Sequence, residues 1–178
     1  MQVWTKILLA VAGLTFYKVA IAVGLPLSGL HHNRTDSLPR GIYRETNEPL
    51  TYGVLAAECL PSPWAELGVR REWLGKGSCP NGTMAVLKKI VALPGDTVDI
   101  RDSHITVNGT VIPNSASLFL DSQGREIPRV VRGTYVLTAQ QYLLLGTSET
   151  SWDGRYTGPA ESTDIISTQR PVWIEEGE

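Results

Sequence analysis

An apolar stretch of 24 residues near the N-terminus, from Ile7 to Leu30, constrains this chain more than any other feature. It carries a single charge, at Lys18. As an α-helix it would be about 36 Å long, whereas the hydrocarbon core of a membrane is about 30 Å thick. A central lysine is the objection, because it costs about 2.5–3.5 kcal/mol in such a span, unless it reaches toward an interface or pairs with another protein. We therefore expect residues 1–30 to be a membrane anchor and residues 31–178 to form the folded domain.

A cleaved signal peptide is the alternative interpretation of this stretch. Ala20-Ile21-Ala22 would then be the small-residue cleavage site. Apolar sequence continues beyond Ala22, which favours the uncleaved anchor. Basic residues occur on both sides of the stretch, so charge counting does not decide which side of the membrane the domain occupies.

The remainder of the chain has the composition of a turn-rich β protein. It is rich in glycine (17) and proline (11), which favours strands and turns over a helical bundle. The net charge of -2 and the lack of a basic stripe argue against nucleic acid as a partner. With three histidines and no His or Cys pair at ligand spacing, we expect neither a metal site nor a cofactor.

Hydrophobic patterning predicts a mainly β domain. The clearest strand candidate is residues 84–93, MAVLKKIVAL, which is apolar on both faces and therefore expected to be buried. Shorter strands are predicted at residues 50–57, 97–100, 105–107, 110–112, 129–137, 142–145 and 172–175. Residues 31–44 are polar and interrupted by a proline, so they are predicted to form a loop.

Two cysteines, Cys59 and Cys79, delimit a segment rich in glycine and proline. We expect residues 58–83 to be an irregular insertion with one short helix near residues 64–73. If the cysteines form a disulfide, closing a loop of about 20 residues would stabilise the fold by about 3 kcal/mol. Two free buried thiols are the alternative.

Two adjacent lysines, Lys88 and Lys89, interrupt the apolar strand. Neighbouring residues on a strand point to opposite faces, so one lysine can be buried while the other reaches solvent. Burial favours the neutral amine, and a neutral lysine can accept the proton of a serine hydroxyl without a histidine. The alternative is that both lysines extend into solvent from an edge strand.

Three motifs, in this order along the chain, resemble those of the type I signal peptidases. SLP at residues 37–39 lies just beyond the apolar stretch, KKIVALPGD at residues 88–96 runs from a strand into a turn, and SWDGR at residues 151–155 follows. The resemblance extends from about residue 7 to residue 175. It implies a signal-peptidase-like β domain behind one transmembrane helix.

The resemblance also implies a serine–lysine pair. Ser37 would be the nucleophile, and its amide together with the Thr35 hydroxyl would face the developing oxyanion. Lys88 would be the general base in preference to Lys89, which matches the basic residue that follows the base in the family.

Further roles follow for the third motif. Ser151 resembles the hydroxyl that orients the lysine, while Asp153 and Arg155 resemble a supporting ion pair. An ion pair of this kind can also be explained by fold stability alone.

The chain departs from the pattern of the housekeeping signal peptidases in two features, which indicate a particular subgroup. Proline follows the serine after two positions instead of three, and the domain is short; both features are most similar to the TraF-type peptidases of conjugative plasmids. That group implies a serine endopeptidase of the bacterial inner membrane, with a periplasmic catalytic domain that processes a pilin precursor. Cyclisation of the product and contact with proteins of the mating-pair or secretion apparatus stay open.

Two other functions compete with this expectation. The chain could be a general type I signal peptidase that acts on secretory precursors, or a non-enzymatic anchored component of a conjugation or secretion apparatus. A self-cleaving repressor-type protease also uses a serine–lysine pair. Such a protease needs no anchor, however, and no DNA-binding module is present in this sequence.

Overall fold

The computed structural model describes residues 29–130 and 132–175, together with residues 7, 11–15 and 18. Most of its regular structure is β. The strands are β1 (Leu30–Asn33), β2 (Gly41–Thr46), β3 (Leu55–Glu58), β4 (Val86–Ala92), β5 (Thr97–Ile100), β6 (Ile105–Val107), β7 (Thr110–Ile112), β8 (Gly133–Val136), β9 (Gln141–Leu145), β10 (Ala160–Glu161) and β11 (Ile165–Ile174). The helices of the domain are α1 (Trp64–Arg70), α2 (Gly154–Thr157) and a 3-10 turn at Ser162–Asp164.

The larger sheet is antiparallel and, within the described residues, has the strand order β1-β2-β11-β3-β4-β9-β10. Strand β11 lies between β2 and β3, with Thr168 opposite Thr46 on one side and Ala56 on the other. The C-terminal strand therefore connects the β1–β2 hairpin to the centre of the sheet, where β3 pairs with β4.

A smaller antiparallel sheet, ordered β7-β6-β5-β8, packs beside the first. Asn108 and Gly109 both have positive φ and form the two-residue turn between β6 and β7, as their sequence predicts. An apolar core joins this sheet to the ends of β4 and β9. Its buried members are Ala92, Val98, Ile100, Ile105, Val107, Leu137, Leu143 and Leu145.

The insertion between β3 and β4 is fixed by a disulfide and by an aromatic cluster. Cys59 and Cys79 are joined by the disulfide. The Trp152 ring packs against Trp73, Trp64 and Tyr156, with centroid separations of 4.9, 5.9 and 5.3 Å. Because Trp152 belongs to the third motif, the aromatic cluster anchors the insertion on the loop that carries Ser151 and Asp153.

The strands predicted at residues 97–100, 105–107 and 110–112 are confirmed with the same bounds. The strand predicted at residues 84–93 is confirmed as Val86–Ala92, and the short helix is confirmed as Trp64–Arg70. The predicted loop at residues 31–44 is wrong in part, because half of it belongs to β1 and β2, which pair with Leu30 opposite Arg44. β1 is an edge strand with exposed polar side chains, so the sequence lacks the apolar alternation that marks half-buried strands.

Most of the predicted anchor, Ile7 to Leu30, lies outside the described residues. Residues 7, 11–15 and 18 are helical where they are described. No helix made up of described residues has the length and apolar character needed to cross a membrane. The anchor stays a prediction.

Removing the disulfide should destabilise the domain. For the double variant Cys59→Ser, Cys79→Ser we expect the free energy of unfolding to fall by about 3 kcal/mol, because the unfolded chain regains the entropy of a closed loop. Urea unfolding of the variant and of the parent measures this difference. A variant that unfolds at the same urea concentration as the parent would contradict the prediction.

Candidate active site

Ser37 lies in the turn between β1 and β2, and the side chain of Asn33 holds this turn. The Asn33 amide nitrogen donates to the carbonyl oxygens of Thr35, Leu38 and Pro39 at 3.1, 3.0 and 3.1 Å. The Asn33 side-chain oxygen accepts the Thr35 N–H at 3.2 Å. One side chain thus satisfies backbone groups on both sides of Ser37 and restricts where the serine can lie.

A second contact ties the same turn to the end of β9. The Thr147 N–H donates to the Ser37 carbonyl oxygen at 2.7 Å, and the Thr147 hydroxyl lies 3.3 Å from the same atom. A Cβ at Gly146 would come within 2.7 Å of both the Ser37 carbonyl oxygen and the Ser151 Cβ. Gly146 therefore lets the nucleophile turn and the Ser151 loop approach each other from two sides.

The two oxyanion candidates have different surroundings. Among the described residues, the Ser37 N–H has no acceptor, so it is available to a substrate oxygen. The Thr35 hydroxyl lies 3.3 Å from the Ser37 hydroxyl and donates to the Asn33 side-chain oxygen at 2.9 Å. Since a hydroxyl carries one hydrogen, this arrangement leaves Thr35 as an acceptor toward Ser37 and not as a free oxyanion donor.

The two lysines of β4 have opposite environments, as the strand alternation predicts. Lys88 is only 3% exposed, whereas Lys89 is exposed to solvent. Burial lowers the pKa of Lys88 to about 8; the negative charges of Asp153 and Glu58 oppose this effect, and Arg155 adds to it. At pH 7 such an amine is neutral about one time in ten, compared with about one in 2,500 for a solvated lysine.

Ser37 and Lys88 line one cavity of about 890 Å³. Its wall also includes Thr35 and the aromatic side chains of Trp152 and Tyr156. Both residues therefore border the same space, which is large enough for several residues of a peptide.

Ser151 is buried and is not among the residues that line this cavity. Its hydroxyl has no hydrogen-bond partner among the described residues. Across the same part of the chain, neither a hydrogen bond nor an ion pair joins the Lys88 amine to Ser37 or Ser151. The predicted orienting contact between Ser151 and Lys88 is therefore not formed in this structure.

Asp153 and Arg155 form the predicted ion pair, and both side chains are completely buried. The Arg155 Nε donates to Asp153 Oδ1 at 2.8 Å and its Nη2 to Oδ2 at 3.1 Å. Asp153 also accepts the N–H of Gly146 at 2.7 Å. The remaining Arg155 hydrogens donate to the carbonyl oxygens of Asn114, Ala116, Gly146 and Glu149.

This ion pair therefore fixes the loop between β9 and α2 to the segment at residues 114–116. Asp153 additionally caps α2 by accepting the Arg155 N–H at 3.1 Å. Since Asp153 and Arg155 both act electrostatically on Lys88, the pair contributes to the amine's environment as well as to the fold.

Sequence reasoning did not identify four residues that shape the site. Asn33 and Thr147 anchor the nucleophile turn, Gly146 permits its close approach to Ser151, and Glu58 is a buried carboxyl on the strand next to Lys88. A signal was present only for Glu58, because a single carboxylate interrupts the apolar run LAAECL at residues 55–60.

Comparison with known proteins identifies the family of this chain. The chain matches the family model of signal peptidase, peptidase S26, over residues 2–174. The chain therefore belongs to the S26 signal peptidase family, whose members are serine peptidases. The resemblance inferred from the three motifs is confirmed at this level.

Two relatives are named for plasmid transfer. A plasmid transfer protein TraF from Escherichia coli is 37% identical over 152 residues, which cover 82% of this chain and 84% of that protein. A conjugal transfer protein TraF from Agrobacterium tumefaciens is 30% identical over 172 residues, covering 94% of this chain and 96% of that protein. A signal peptidase I from Enterococcus faecalis has a similar structure, with 19% identity, 69% of this chain and 98% of that chain covered and a TM-score of 0.39.

Loss of the buried carboxylate should destabilise the domain strongly. We expect Asp153→Asn to lower the free energy of unfolding by about 3–5 kcal/mol, because Arg155 would stay buried without its counter-charge. Urea unfolding measures the loss. Glu66→Gln, which breaks the exposed pair between Glu66 and Arg70, is the matched control and should change stability by less than about 0.5 kcal/mol. Equal effects of the two substitutions would refute the structural importance of the buried pair.

Proposed function

We propose that this chain is a membrane-anchored serine endopeptidase that processes a pilin precursor for conjugative transfer, with Ser37 as nucleophile and Lys88 as general base. The observation that carries the proposal is the burial of Lys88, a residue that lines the same cavity as Ser37. Membership of the signal peptidase family supports the reaction class, and the plasmid-transfer relatives support the biological role.

The proposed reaction begins with the neutral amine of Lys88. It accepts the proton of the Ser37 hydroxyl while the serine oxygen forms a bond to the carbonyl carbon of the substrate. The Ser37 N–H donates to the oxygen on which negative charge develops. The lysine then returns its proton to the leaving amine as the carbon–nitrogen bond breaks, which leaves an acyl-enzyme on Ser37.

A second nucleophile completes the reaction. Water would give a linear product, whereas the N-terminal amine of the same substrate would give a cyclic one, because an acylated serine reacts with whichever nucleophile is held in place. The proposal places the domain in the periplasm, against the inner membrane. There, anchoring the precursor and the enzyme in the same membrane would raise the effective concentration of each for the other.

A general role in secretory-precursor processing is the second candidate, and the family match over nearly the whole chain supports it. The two candidates predict different substrates. A pilin precursor that is processed while a secretory precursor is not would favour the specialised role.

The intact mass of a pilin precursor co-expressed with the full chain tests the dyad. We expect Ser37→Ala and Lys88→Ala to lower processing by at least about 10³-fold, since each removes a member of a unit that acts together. Lys89→Ala is the matched control, because it removes the neighbouring exposed amine, and it should process normally. A product one water lighter than the linear fragment would indicate cyclisation.

Two outcomes would contradict the assignment. Processing that continues without Ser37 would show that the serine is not the nucleophile. Loss of processing in Lys89→Ala but not in Lys88→Ala would exchange the roles of the two lysines.

A further inference from the structure

Glu58 is a buried carboxyl on the central strand β3. It is 3% exposed and shares one face of the strand with Ala56, because alternate residues point the same way. Leu60, which follows in the same alternation, is completely buried. A carboxylate in this position is costly unless another charge compensates for it.

The pairing of β3 with β4 brings this carboxyl close to Lys88. Ala56 lies opposite Lys88 and Glu58 lies opposite Val86. Glu58 and Lys88 are therefore diagonal neighbours on one face of an antiparallel pair, a geometry with Cβ atoms about 7–8 Å apart that long side chains can bridge. Both side chains are almost completely removed from solvent.

Apolar side chains flank the two groups along the sheet. Leu60 and Val86 belong to one cluster, while Ala56 and Ile90 belong to another. Among the described residues, the Glu58 carboxyl forms neither a hydrogen bond nor a direct ion pair, and Lys88 is the residue whose positive charge acts on it. A low-dielectric setting of this kind strengthens the attraction between two opposite charges.

The charged groups that face the pair come from two other elements. Asp153 and Arg155, at the start of α2, act on Lys88, while Asp164 of the 3-10 turn and Asp153 act on Glu58. Burial raises the pKa of Glu58 to about 7, and the charge of Lys88 opposes that rise. Since the charge of each group acts on the other, the pKa of the carboxyl and the pKa of the amine depend on each other.

We propose that Glu58 is a positioning residue whose carboxylate stabilises the ammonium that forms on Lys88 when the lysine takes the Ser37 proton. This role rests on the proposed Ser37–Lys88 reaction. The proton moves from the serine oxygen to the lysine nitrogen and later to the leaving amine, while Glu58 itself neither gains nor loses a proton. Its negative charge makes Lys88 a stronger base than burial alone would allow, and it raises the pH at which the amine becomes neutral.

Nuclear magnetic resonance of Lys88 tests the proposal without any turnover. The chain contains five lysines, so a full-length chain labelled with carbon-13 at lysine Cε gives few signals, and Lys88→Ala assigns one of them. The titration is carried out with Ser37→Ala, with and without Glu58→Gln. Because glutamine has no negative charge to stabilise the ammonium, the midpoint of Lys88 should fall by about one pH unit.

Glu66→Gln, an exposed carboxylate on α1, is the matched control and should leave the midpoint unchanged. A midpoint that stays in place or rises in Glu58→Gln would overturn the proposal. This titration does not depend on the proposed reaction of Ser37 with Lys88, since the Ser37→Ala background lacks the nucleophile. Whether Ser37 and Lys88 act as a catalytic pair is judged separately, by the processing of the precursor.

A second measurement covers the case in which Glu58→Gln does not fold. In the unaltered chain, the Lys88 curve should contain an additional step at the midpoint of Glu58, because each group senses the charge of the other. A Lys88 curve with a single step would overturn the proposal as well.

Discussion

The burial of an amine on the inner face of an antiparallel sheet is the constraint on which the rest of this site depends. Removing the Lys88 charge from water is unfavourable, so the environment must either neutralise the amine or supply negative charge. In this chain both effects operate. Burial of the lysine favours the neutral amine, while the negative charges of Asp153 and Glu58 favour the ammonium. The resulting amine has a pKa of about 8, close enough to neutral pH to exchange protons.

The elements around this amine come from distant parts of the chain. β11 joins the hairpin that carries Ser37 to the strand that pairs with β4. The buried pair of Asp153 and Arg155 joins the end of β9 to residues 114–116, and Thr147 joins the same end of β9 to Ser37. A small set of polar contacts therefore sets the position of the nucleophile relative to the lysine strand.

Sequence patterns predicted those structural features that depend on residues close together along the chain. The Asn108-Gly109 turn and the alternating strands beside it could be predicted with their bounds, and so could the opposite faces of Lys88 and Lys89. Alternation did not reveal which lysine is buried; that depends on the face of β4 that meets the core.

Other parts depend on long-range pairing, which one sequence does not display. Strands β1 and β2 were predicted as loop because the segment is polar overall and interrupted by a proline; β1 is a strand through its pairing with β2, and β2 pairs in turn with β11. Glu58 was not identified, because its position beside Lys88 follows from the register of β3 against β4. The spacing of Cys59 and Cys79 allowed either a disulfide or free thiols, and the fold of the insertion determines that they join.

The pH dependence of kcat/KM for cleavage of the precursor tests the central claim most directly, because it reports the ionisation of essential groups in the free enzyme. If buried Lys88 is the base, activity should rise through a midpoint near pH 8, and the same midpoint should be found in Lys89→Ala. A midpoint at the ordinary lysine pKa of 10.5, or one near 6.5 as expected for histidine, would contradict the account.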